Sequence, residues 1–436
     1  MRFRLGEVAA AVDGELVGGA TPDLIVYGVG IDSRAVAPGS LFVPIVAGRD
    51  GHEFIDAAIA GGAAAHLTVR PNSVYPAVRV GDTGPALMGL GARARHRIEG
   101  PVVGITGSVG KTSVKDLAAA AMNAGLRTHA SPHGYNNELG LPLTLANAPD
   151  TTEAVIVEMG ARGVGHIAQL CAIARPTIAV VTLVAAVHTE LFGSIDEVAR
   201  GKGELVESLD GHGFAVLNAD DERVASMAAQ TGATVITFGA AKGDVRAEHI
   251  SIDRDLRPRF TIVSPWGRAQ VVLPVRGAHN AVNAAAALAA AVVAGVDFHD
   301  AVAGLADAEL SRWRMEVGRT SSGAVVINDA WNASPTSMLA ALDSLAAVAA
   351  PRRVAIIGVM AELGEGADQE HRAIARRLVD DGLEVIVVGT DAYGIEPVPD
   401  IDAALAVLGP VGEGDAVLIK ASRVAGLERI AAALLA

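Results

Sequence analysis

The sequence has a single cysteine and no cluster of basic residues, and each shortage excludes a class of protein. Cys171 has no second cysteine with which to form an internal disulfide, and its apolar neighbours predict a small core residue. Lysine and arginine total 35 against 49 aspartate and glutamate residues, which gives a formal net charge of -14. Nucleic acid is therefore not an expected partner, and any anionic small molecule has to be met by local arginines, lysines and helix ends.

Long apolar runs are also missing. The opening segment, MRFRLGEVAAAVDGEL, is interrupted by Glu7 and Asp13 before the apolar core of a signal peptide could form. The longest apolar-looking stretch, residues 281–296, is dominated by alanine and contains Asn283, so we expect no membrane span. At 436 residues the chain is long enough for two or three domains with their own cores. These features predict a cytoplasmic enzyme, which we expect to be a monomer.

What the chain does contain is a phosphate-binding pattern at residues 101–120, PVVGITGSVGKTSVKDLAAA. An apolar β-branched run is followed by a glycine turn and the start of a helix, where free N–H groups and the helix dipole attract phosphate. Lys111 is expected to reach the β- and γ-phosphates, and Thr112 to bind Mg²⁺. Ile105 stands where the general Walker motif has its first glycine, so the pattern is the shorter GxxGKT. The residues assigned to this loop are Gly107, Ser108, Val109, Gly110, Lys111, Thr112 and Ser113.

Three regions differ in their hydrophobic pattern. Residues 1–98 mix short strands with an alanine-rich helix at 55–61 and predict a small α/β domain. Residues 99–310 alternate helices with near-continuous apolar strands, the pattern of a doubly wound parallel sheet, and period-two stretches between 244 and 276 predict a small antiparallel insert. Residues 311–436 repeat the α/β pattern. The predicted fold class is therefore α/β, with three domains.

Further polar residues follow the apolar strands of the middle region. Glu158 ends the strand VIVE, His188 follows VVTLVAAV, and Lys202 lies on a helix fourteen residues later. Each of them alone is most simply a turn carboxylate, a loop histidine and a solvated lysine. Their occurrence together after a phosphate loop favours a metal and phosphate site at the carboxyl ends of the strands.

The sequence resembles the Mur ligase family, the ATP-dependent amide-forming enzymes of peptidoglycan synthesis. The segments that carry the resemblance are TGSVGKTS (106–113), HGYNNELGLPLTL (133–145), EMGARGVGHI (158–167), HTELFGSIDEVARGKGEL (188–205), LNADDE (217–222) and RGAHNAVNAAAA (276–287). The resemblance implies an N-terminal UDP-binding domain, a central P-loop ATPase domain and a C-terminal Rossmann-like domain. It also implies that Glu158 and His188 serve a second Mg²⁺, that Asn280 contacts adenine, and that Lys202 is carbamylated.

The outer regions narrow the resemblance. The first is similar to the UDP-binding domain shared by the branches that add the third amino acid and the terminal dipeptide, and the third is similar to the branch that adds D-alanyl-D-alanine. In the first region, DSRAVAPGSLFVPIVAGRDGHEF implies that Ser33, Arg34 and His52 contact the uridine diphosphate, and Asn136 and Asn137 are further substrate-binding candidates. In the third, the landmarks are SRWRMEV, VINDAWNASPTSM and KASR. They imply that Arg314 faces the γ-phosphate, Asp329 the ribose, and Asn332 the nucleotide or the dipeptide. Lys420 and Arg423 are the expected partners of the dipeptide carboxylate.

Some positions depart from that branch. Trp331 stands where tyrosine is common, and Val359 and Ala421 stand where aspartate and glycine are usual.

The expected function is an ATP-dependent ligase that joins D-alanyl-D-alanine to a UDP-N-acetylmuramoyl tripeptide through an acyl phosphate. Addition of a single amino acid, or action on another acceptor such as folate or a polymer, stays open within the class. A P-loop kinase and a nucleotide-binding regulatory module are the alternatives from other classes.

Overall fold

The computed structural model describes residues 1–132, 134–185 and 192–436. Within these residues the strands form four sheets with helices packed against them, which confirms the predicted α/β class. In the same residues, no helix is both long enough and apolar enough to cross a membrane.

The N-terminal region contains a five-stranded sheet and a two-stranded sheet. Its elements are β1 (Arg2–Arg4), α1 (Leu5–Ala11), β2 (Glu15–Val17), β3 (Ile25–Tyr27), β4 (Val29–Gly30), β5 (Leu41–Phe42), α2 (Ile55–Ala60), β6 (Ala65–Thr68), β7 (Ala77–Arg79) and α3 (Thr83–Arg95). The larger sheet has the order β2-β7-β6-β5-β4, and β1 pairs with β3. The core of this region continues into that of the middle region, since buried residues of α3 pack against the helices α5 (Gly140–Ala146) and α6 (His166–Ala174) of the middle region.

The middle region is built on a nine-stranded sheet with the order β16-β15-β14-β13-β12-β11-β8-β10-β9. Its elements are β8 (Val102–Thr106), α4 (Lys111–Asn123), β9 (Thr128–Ala130), α5 (Gly140–Ala146), β10 (Ala154–Glu158), α6 (His166–Ala174), β11 (Ile178–Val181), α7 (Ile195–Glu207), β12 (Phe214–Asn218), α8 (Glu222–Ser226), β13 (Thr234–Gly239), β14 (Val245–Ile252), β15 (Pro258–Ser264), β16 (Gly267–Val272), α9 (Asn280–Val293) and α10 (Phe298–Gly304). The predicted antiparallel stretch is confirmed. It extends the central sheet, because β14 pairs in parallel with β13 before β15 and β16 turn back.

The order of the central strands determines where a ligand site can form. The chain runs from β8 to the edge strand β9, returns to β10 beside β8, and then crosses to β11 on the other side of β8. In an open α/β sheet the crevice at such a reversal lies at the carboxyl ends of the strands. All residues of β8 are buried, and the alanine face of α9 packs beside α4, so the loop after β8 rests on a close-packed base.

The C-terminal region has a second largely parallel sheet, with the order β17-β18-β21-β19-β20. Its elements are β17 (Glu316–Arg319), β18 (Val325–Asn328), α11 (Pro335–Ala346), β19 (Arg352–Ile357), α12 (Ala367–Asp380), β20 (Glu384–Val387), α13 (Ile401–Leu408), β21 (Asp415–Lys420) and α14 (Glu428–Leu435). Only β17 runs antiparallel to its neighbour. Separate apolar cores cover the two faces of this sheet, as the repeat of the α/β pattern predicts.

Candidate active site

The loop between β8 and α4 has the backbone geometry of an anion-binding turn. Gly107 at φ 146° and Gly110 at φ 89° both lie in the region that favours glycine. A Cβ on Gly107 would collide with the hydroxyl of Thr182, which itself donates a hydrogen bond to the carbonyl oxygen of Val109 at 2.5 Å. Ser108 is hydrogen-bonded to the segment that follows β11. This segment therefore fixes the loop beside the N-terminus of α4.

Lys111 begins α4 and folds back over the loop. Its Nζ donates hydrogen bonds to two loop carbonyl oxygens, at 2.8 and 3.3 Å. Burial lowers the pKa of Lys111, the charge of Glu158 opposes this, and the charge of Arg314 adds to the lowering. A cation is thus held against the turn that would surround a phosphate. Ser113 is buried on the next part of α4.

Glu158, at the end of β10, lies at the centre of a hydrogen-bonded group. Thr112 Oγ1 donates to Glu158 Oε2 at 2.7 Å, and Asn136 Nδ2 donates to Oε1 at 2.9 Å. Arg314, which comes from the start of the C-terminal region, donates from Nη2 to Thr112 Oγ1 at 2.9 Å. Residues from three separate parts of the chain therefore meet at the carboxyl ends of β8 and β10.

The carboxyl group of Glu158 is kept ionised by its neighbours. Burial alone would raise its pKa, but the charge of Lys111, the hydrogen bonds from Asn136 and Thr112 and the charge of Arg314 together hold the pKa below its ordinary value. An ionised carboxylate beside a hydroxyl offers hard oxygen ligands to a metal ion.

These oxygen atoms fit Mg²⁺, which takes one or two protein oxygens and completes its shell with substrate phosphates and water. Thr112 and Glu158 are the residues that would hold the ion. Among the residues that the structure describes, no group of three or more histidine, cysteine, aspartate or glutamate side chains is arranged to hold a metal. A site that relies on nucleotide phosphates as further ligands is consistent with that finding.

Lys202 lies on α7 and is 2% exposed. Burial, and secondly the charge of Lys111, lower the pKa of its ammonium well below the ordinary value. The helix α7 packs against β8, the strand that leads into the phosphate loop, so the charge of Lys111 acts on Lys202. His188, the second predicted ligand, lies outside the described residues.

A short linker, residues 308–315, delivers Arg314 to this group. Trp313 at φ 61° and Met315 at φ 51° are in the left-handed region, which bulky side chains rarely adopt. The linker is tied to α4 by the N–H of Ser311, which donates to Asp116 Oδ2 at 2.8 Å. Arg314 Nε is buried and has no hydrogen-bond partner, so the guanidinium retains a donor for an anionic oxygen beside Thr112.

Asn280 is fully buried at the start of α9. Its Nδ2 donates to the carbonyl oxygen of Arg276 at 2.7 Å, and its Oδ1 accepts a hydrogen bond from Asn283 at 2.8 Å. Asn283 in turn approaches Gly110 of the phosphate loop. The start of α9 therefore borders the loop, as contact with a nucleotide requires, but the Asn280 amide is engaged within its own turn.

An ion pair joins the buried Lys420 to the half-buried Asp329 at the carboxyl ends of β18 and β21. Lys420 Nζ lies 2.5 Å from Asp329 Oδ2 and donates to the carbonyl oxygen of Asn332 at 2.9 Å, and its side chain is 1% exposed. Asp329 Oδ1 also accepts a hydrogen bond from the N–H of Met315 at 3.1 Å, which ties it to the linker. This geometry does not support the prediction that Lys420 binds the carboxylate of a dipeptide, because its ammonium is already surrounded by acceptors of the chain.

We expect Lys420→Met to lower the free energy of unfolding by about 3 kcal/mol, because it leaves the Asp329 carboxylate without its cation. Chemical denaturation measures the change. Lys242→Met, at an exposed lysine, is the matched control and should change the free energy by less than about 0.5 kcal/mol. Adding Asp329→Asn to Lys420→Met should recover part of the loss, and equal losses in the two methionine variants would contradict the ion-pair role.

Arg423 lies on the surface next to this site. Its guanidinium carbon lies 4.4 Å from the ring centroid of Trp313 and 5.9 Å from that of Trp331, and Nη1 pairs with Glu428 at 2.6 Å. The two indole rings are stacked with centroids 5.9 Å apart. Arg423 is thus an exposed cation that lies over an aromatic pair, close to the linker that carries Arg314.

The residues of the N-terminal region that are predicted to contact the uridine diphosphate differ in their accessibility. Ser33 and Arg34 lie in an accessible turn, and Arg34 is paired with Asp32 at 2.7 Å. His52 is buried: Nδ1 lies 2.7 Å from Asp50 Oδ1, and Nε2 accepts the N–H of Val69. Both ring nitrogens are engaged inside the domain, so the geometry gives no support to a ligand contact by His52.

The neighbouring candidates Asn136 and Asn137 have different surroundings. Asn136 hydrogen-bonds to Glu158, as described above, whereas Asn137 Oδ1 accepts hydrogen bonds from the backbone N–H groups of Leu139 and Gly140 at 3.2 and 2.9 Å. Asn137 therefore stabilises the start of α5.

Sequence reasoning missed three residues of the site. Thr182 holds the phosphate loop and Asp116 holds the linker by hydrogen bonds, and no motif marks either residue. His279 is exposed and directly precedes Asn280; desolvation of its ring lowers its pKa, the charge of Asp329 opposes this and that of Lys420 adds to it. Its place in the segment RGAHN was the available signal.

Three family profiles match the chain. They are described as the Mur ligase family catalytic domain, at residues 25–97, the Mur ligase middle domain, at residues 105–291, and the Mur ligase glutamate ligase domain, at residues 313–423.

Curated relatives and solved structures match over nearly the full length. A UDP-N-acetylmuramoyl-tripeptide--D-alanyl-D-alanine ligase of Mycobacterium tuberculosis (strain CDC 1551 / Oshkosh) is 39% identical, covering 99% of this chain and 98% of the relative. The ligase of the same name from Escherichia coli (strain K12) is 32% identical, with the same coverage. The crystal structure of MurF from Acinetobacter baumannii has a TM-score of 0.91 at 28% identity, covering 100% of this chain and 99% of that one. MurF ligase from Thermotoga maritima in complex with ADP has a TM-score of 0.81 at 27% identity, covering 93% and 96%.

Proposed function

This chain belongs to the Mur ligase family, and on that premise we propose that it joins D-alanyl-D-alanine to a UDP-N-acetylmuramoyl tripeptide while ATP is split to ADP and phosphate. The observation that carries the proposal is the convergence of the phosphate loop, Glu158 and Arg314 at the carboxyl ends of β8 and β10. The domain boundaries that we propose are 98/99 and 310/311. Because the proposed reaction uses ATP and a UDP-linked substrate, we propose that it takes place in the cytoplasm, and we expect the protein to act there as a monomer.

The chemistry explains why the site needs so much positive charge. A carboxylate is a poor electrophile, so it first attacks the γ-phosphorus of ATP and becomes an acyl phosphate with ADP as leaving group. The free amine of the acceptor then attacks the acyl carbon, phosphate departs, and the amine proton is lost. Lys111 and Arg314 would neutralise the charge that builds up when one anion approaches another. Mg²⁺, for which we propose two sites, would add to that neutralisation when bound.

The roles of the individual residues are part of the proposal. Thr112 Oγ1 lies 2.7 Å from Glu158 Oε2, and Arg314 reaches Thr112 from the C-terminal region, so the complete site depends on both regions being together. Closure of the two regions around the substrates would exclude water from an acyl phosphate, which would otherwise hydrolyse. We propose that Asn280 and Asp329 border the nucleotide and that Arg423 faces the dipeptide carboxylate.

The experiment that tests the function is an ADP-release assay over a panel of UDP-muramoyl peptides and amine acceptors. A ligase releases ADP over many turnovers only when both the carboxylate and the amine are present. A stable phosphorylated product that accumulates over many turnovers without an amine would favour a kinase, and ATP binding without turnover would favour a regulatory module. Either result would overturn the ligase proposal.

We expect D-alanyl-D-alanine to be preferred to D-alanine by a factor on the order of 10⁴ in kcat/KM, because polar groups built for the longer acceptor would be left unpaired by the shorter one. Competition between D-alanyl-D-alanine, D-alanine and diaminopimelate measures the ratio directly. Equal or better use of a single amino acid would overturn the dipeptide assignment and leave the ligase chemistry in place.

A further inference from the structure

A cavity of about 240 Å³ lies between the turn that joins β14 to β15 and the C-terminal sheet. Its wall contains three arginines, of which Arg254 and Arg276 come from the middle region and Arg319 from the end of β17. Arg254 and Arg319 are exposed, and Arg276 is half-buried. The cavity is therefore lined with cations from two regions of the chain.

These cations are not matched by acidic groups. Among the residues that the structure describes, none of the three arginines forms an ion pair, and Asp255, the acidic residue in the wall, lies 3.5 Å from Arg257. Arg276 Nη1 donates to the carbonyl oxygen of Pro274, but its Nε is buried without a hydrogen-bond partner. The chain has a net charge of -14, yet three guanidinium groups without an acidic partner line this cavity and repel one another. The Nε of Arg276 is in addition a buried donor without an acceptor. An anion between them would remove both costs.

The cavity is separate from the nucleotide residues. Val325, in its wall, begins β18, whereas Asp329 directly follows the end of that strand. Four residues of extended strand span roughly 13 Å, so the two places lie at opposite ends of β18. The cavity wall shares no residue with the phosphate loop.

We propose that this cavity binds a small phosphate-bearing anion, with Arg276 on its inner wall and Arg254 and Arg319 at its mouth. The planar guanidinium groups match phosphate oxygens in pairs of parallel hydrogen bonds. Because the arginines come from two regions, the bound anion would hold the middle and C-terminal regions together. It would also act next to the start of α9, since the carbonyl oxygen of Arg276 accepts the hydrogen bond from Asn280.

Titration calorimetry on the full chain tests the proposal, with inorganic phosphate, pyrophosphate and glycerol phosphate as probes and saturating Mg-ADP present. We expect at least one probe to bind, with an affinity that falls as salt is raised. Arg276→Gln and Arg319→Gln should each weaken binding about tenfold. The probe that binds more tightly distinguishes a free phosphate from a phosphate ester. Circular dichroism checks that the variants are folded.

The matched control is Arg268→Gln, at an exposed arginine on β16 outside the cavity, which should leave binding unchanged. No binding of any probe would overturn the proposal. So would binding that both cavity variants leave unchanged and that Lys111→Ala abolishes, because the anion would then be on the phosphate loop. None of these results depends on ligase activity, so the anion site and the proposed function are tested separately.

Discussion

Lys111→Ala is expected to lower the rate of ADP release by about 10³-fold or more, in a chain that still folds. The Nζ of Lys111 lies against the carbonyl oxygens of the loop, where the β- and γ-phosphates would be held. Without that charge, an anionic carboxylate would have to approach the triphosphate against greater repulsion. Steady-state ADP release with both substrates saturating measures the effect.

The control for this experiment is Lys242→Ala, which removes the same charge from an exposed position. It should leave the rate nearly unchanged, so a general effect of net charge can be told apart from the local one. A folded Lys111→Ala variant with near-normal ADP release would show that the loop is not the ATP site.

The elements around this lysine were predictable because their signals are local. The strand run before Gly107, the glycine turn and the start of α4 occupy about twenty consecutive residues, and hydrophobic pattern and turn chemistry act over that distance. Glu158 could be placed at a strand end for the same reason. Parallel strands then bring such ends together at one edge of the sheet.

The remainder of the site depends on contacts between distant parts of the chain. Arg314 reaches Thr112 across 202 residues, and the left-handed conformation of Trp313 that aims it there has no sequence signal. The sequence predicts Lys420 to be a ligand-binding cation, because nothing in the sequence indicates its partner. The ion pair with Asp329 forms only when β18 and β21 become neighbours in the C-terminal sheet. The fold must therefore be known before the charged residues beside a site can be divided into those that stabilise the structure and those that contact the substrate.

Lys202→Ala is expected to lose nearly all ADP release and to regain part of it when acetate is added. We propose that the Lys202 amine carries a carbamate: the neutral nitrogen bonds to the carbon of CO₂, an electron pair moves onto oxygen, and a proton is released to water. Two features of this chain support that chemistry. Lys202 is buried, and burial together with the charge of Lys111 lowers its pKa, which favours the neutral amine that reacts with CO₂.

Acetate restores an anionic oxygen that could help to organise a Mg²⁺ site, whereas arginine in place of Lys202 restores only positive charge. Lys202→Arg should therefore stay inactive with or without acetate. The carbamate can also be observed without turnover, as a carbon-13 NMR signal that appears in the wild-type protein supplied with labelled bicarbonate and is missing from Lys202→Arg. Removal of dissolved CO₂ should slow the wild-type enzyme and leave acetate-rescued Lys202→Ala unchanged. Full activity of Lys202→Arg would rule out a required carbamate, because an arginine side chain in that place offers no anionic oxygen to a metal.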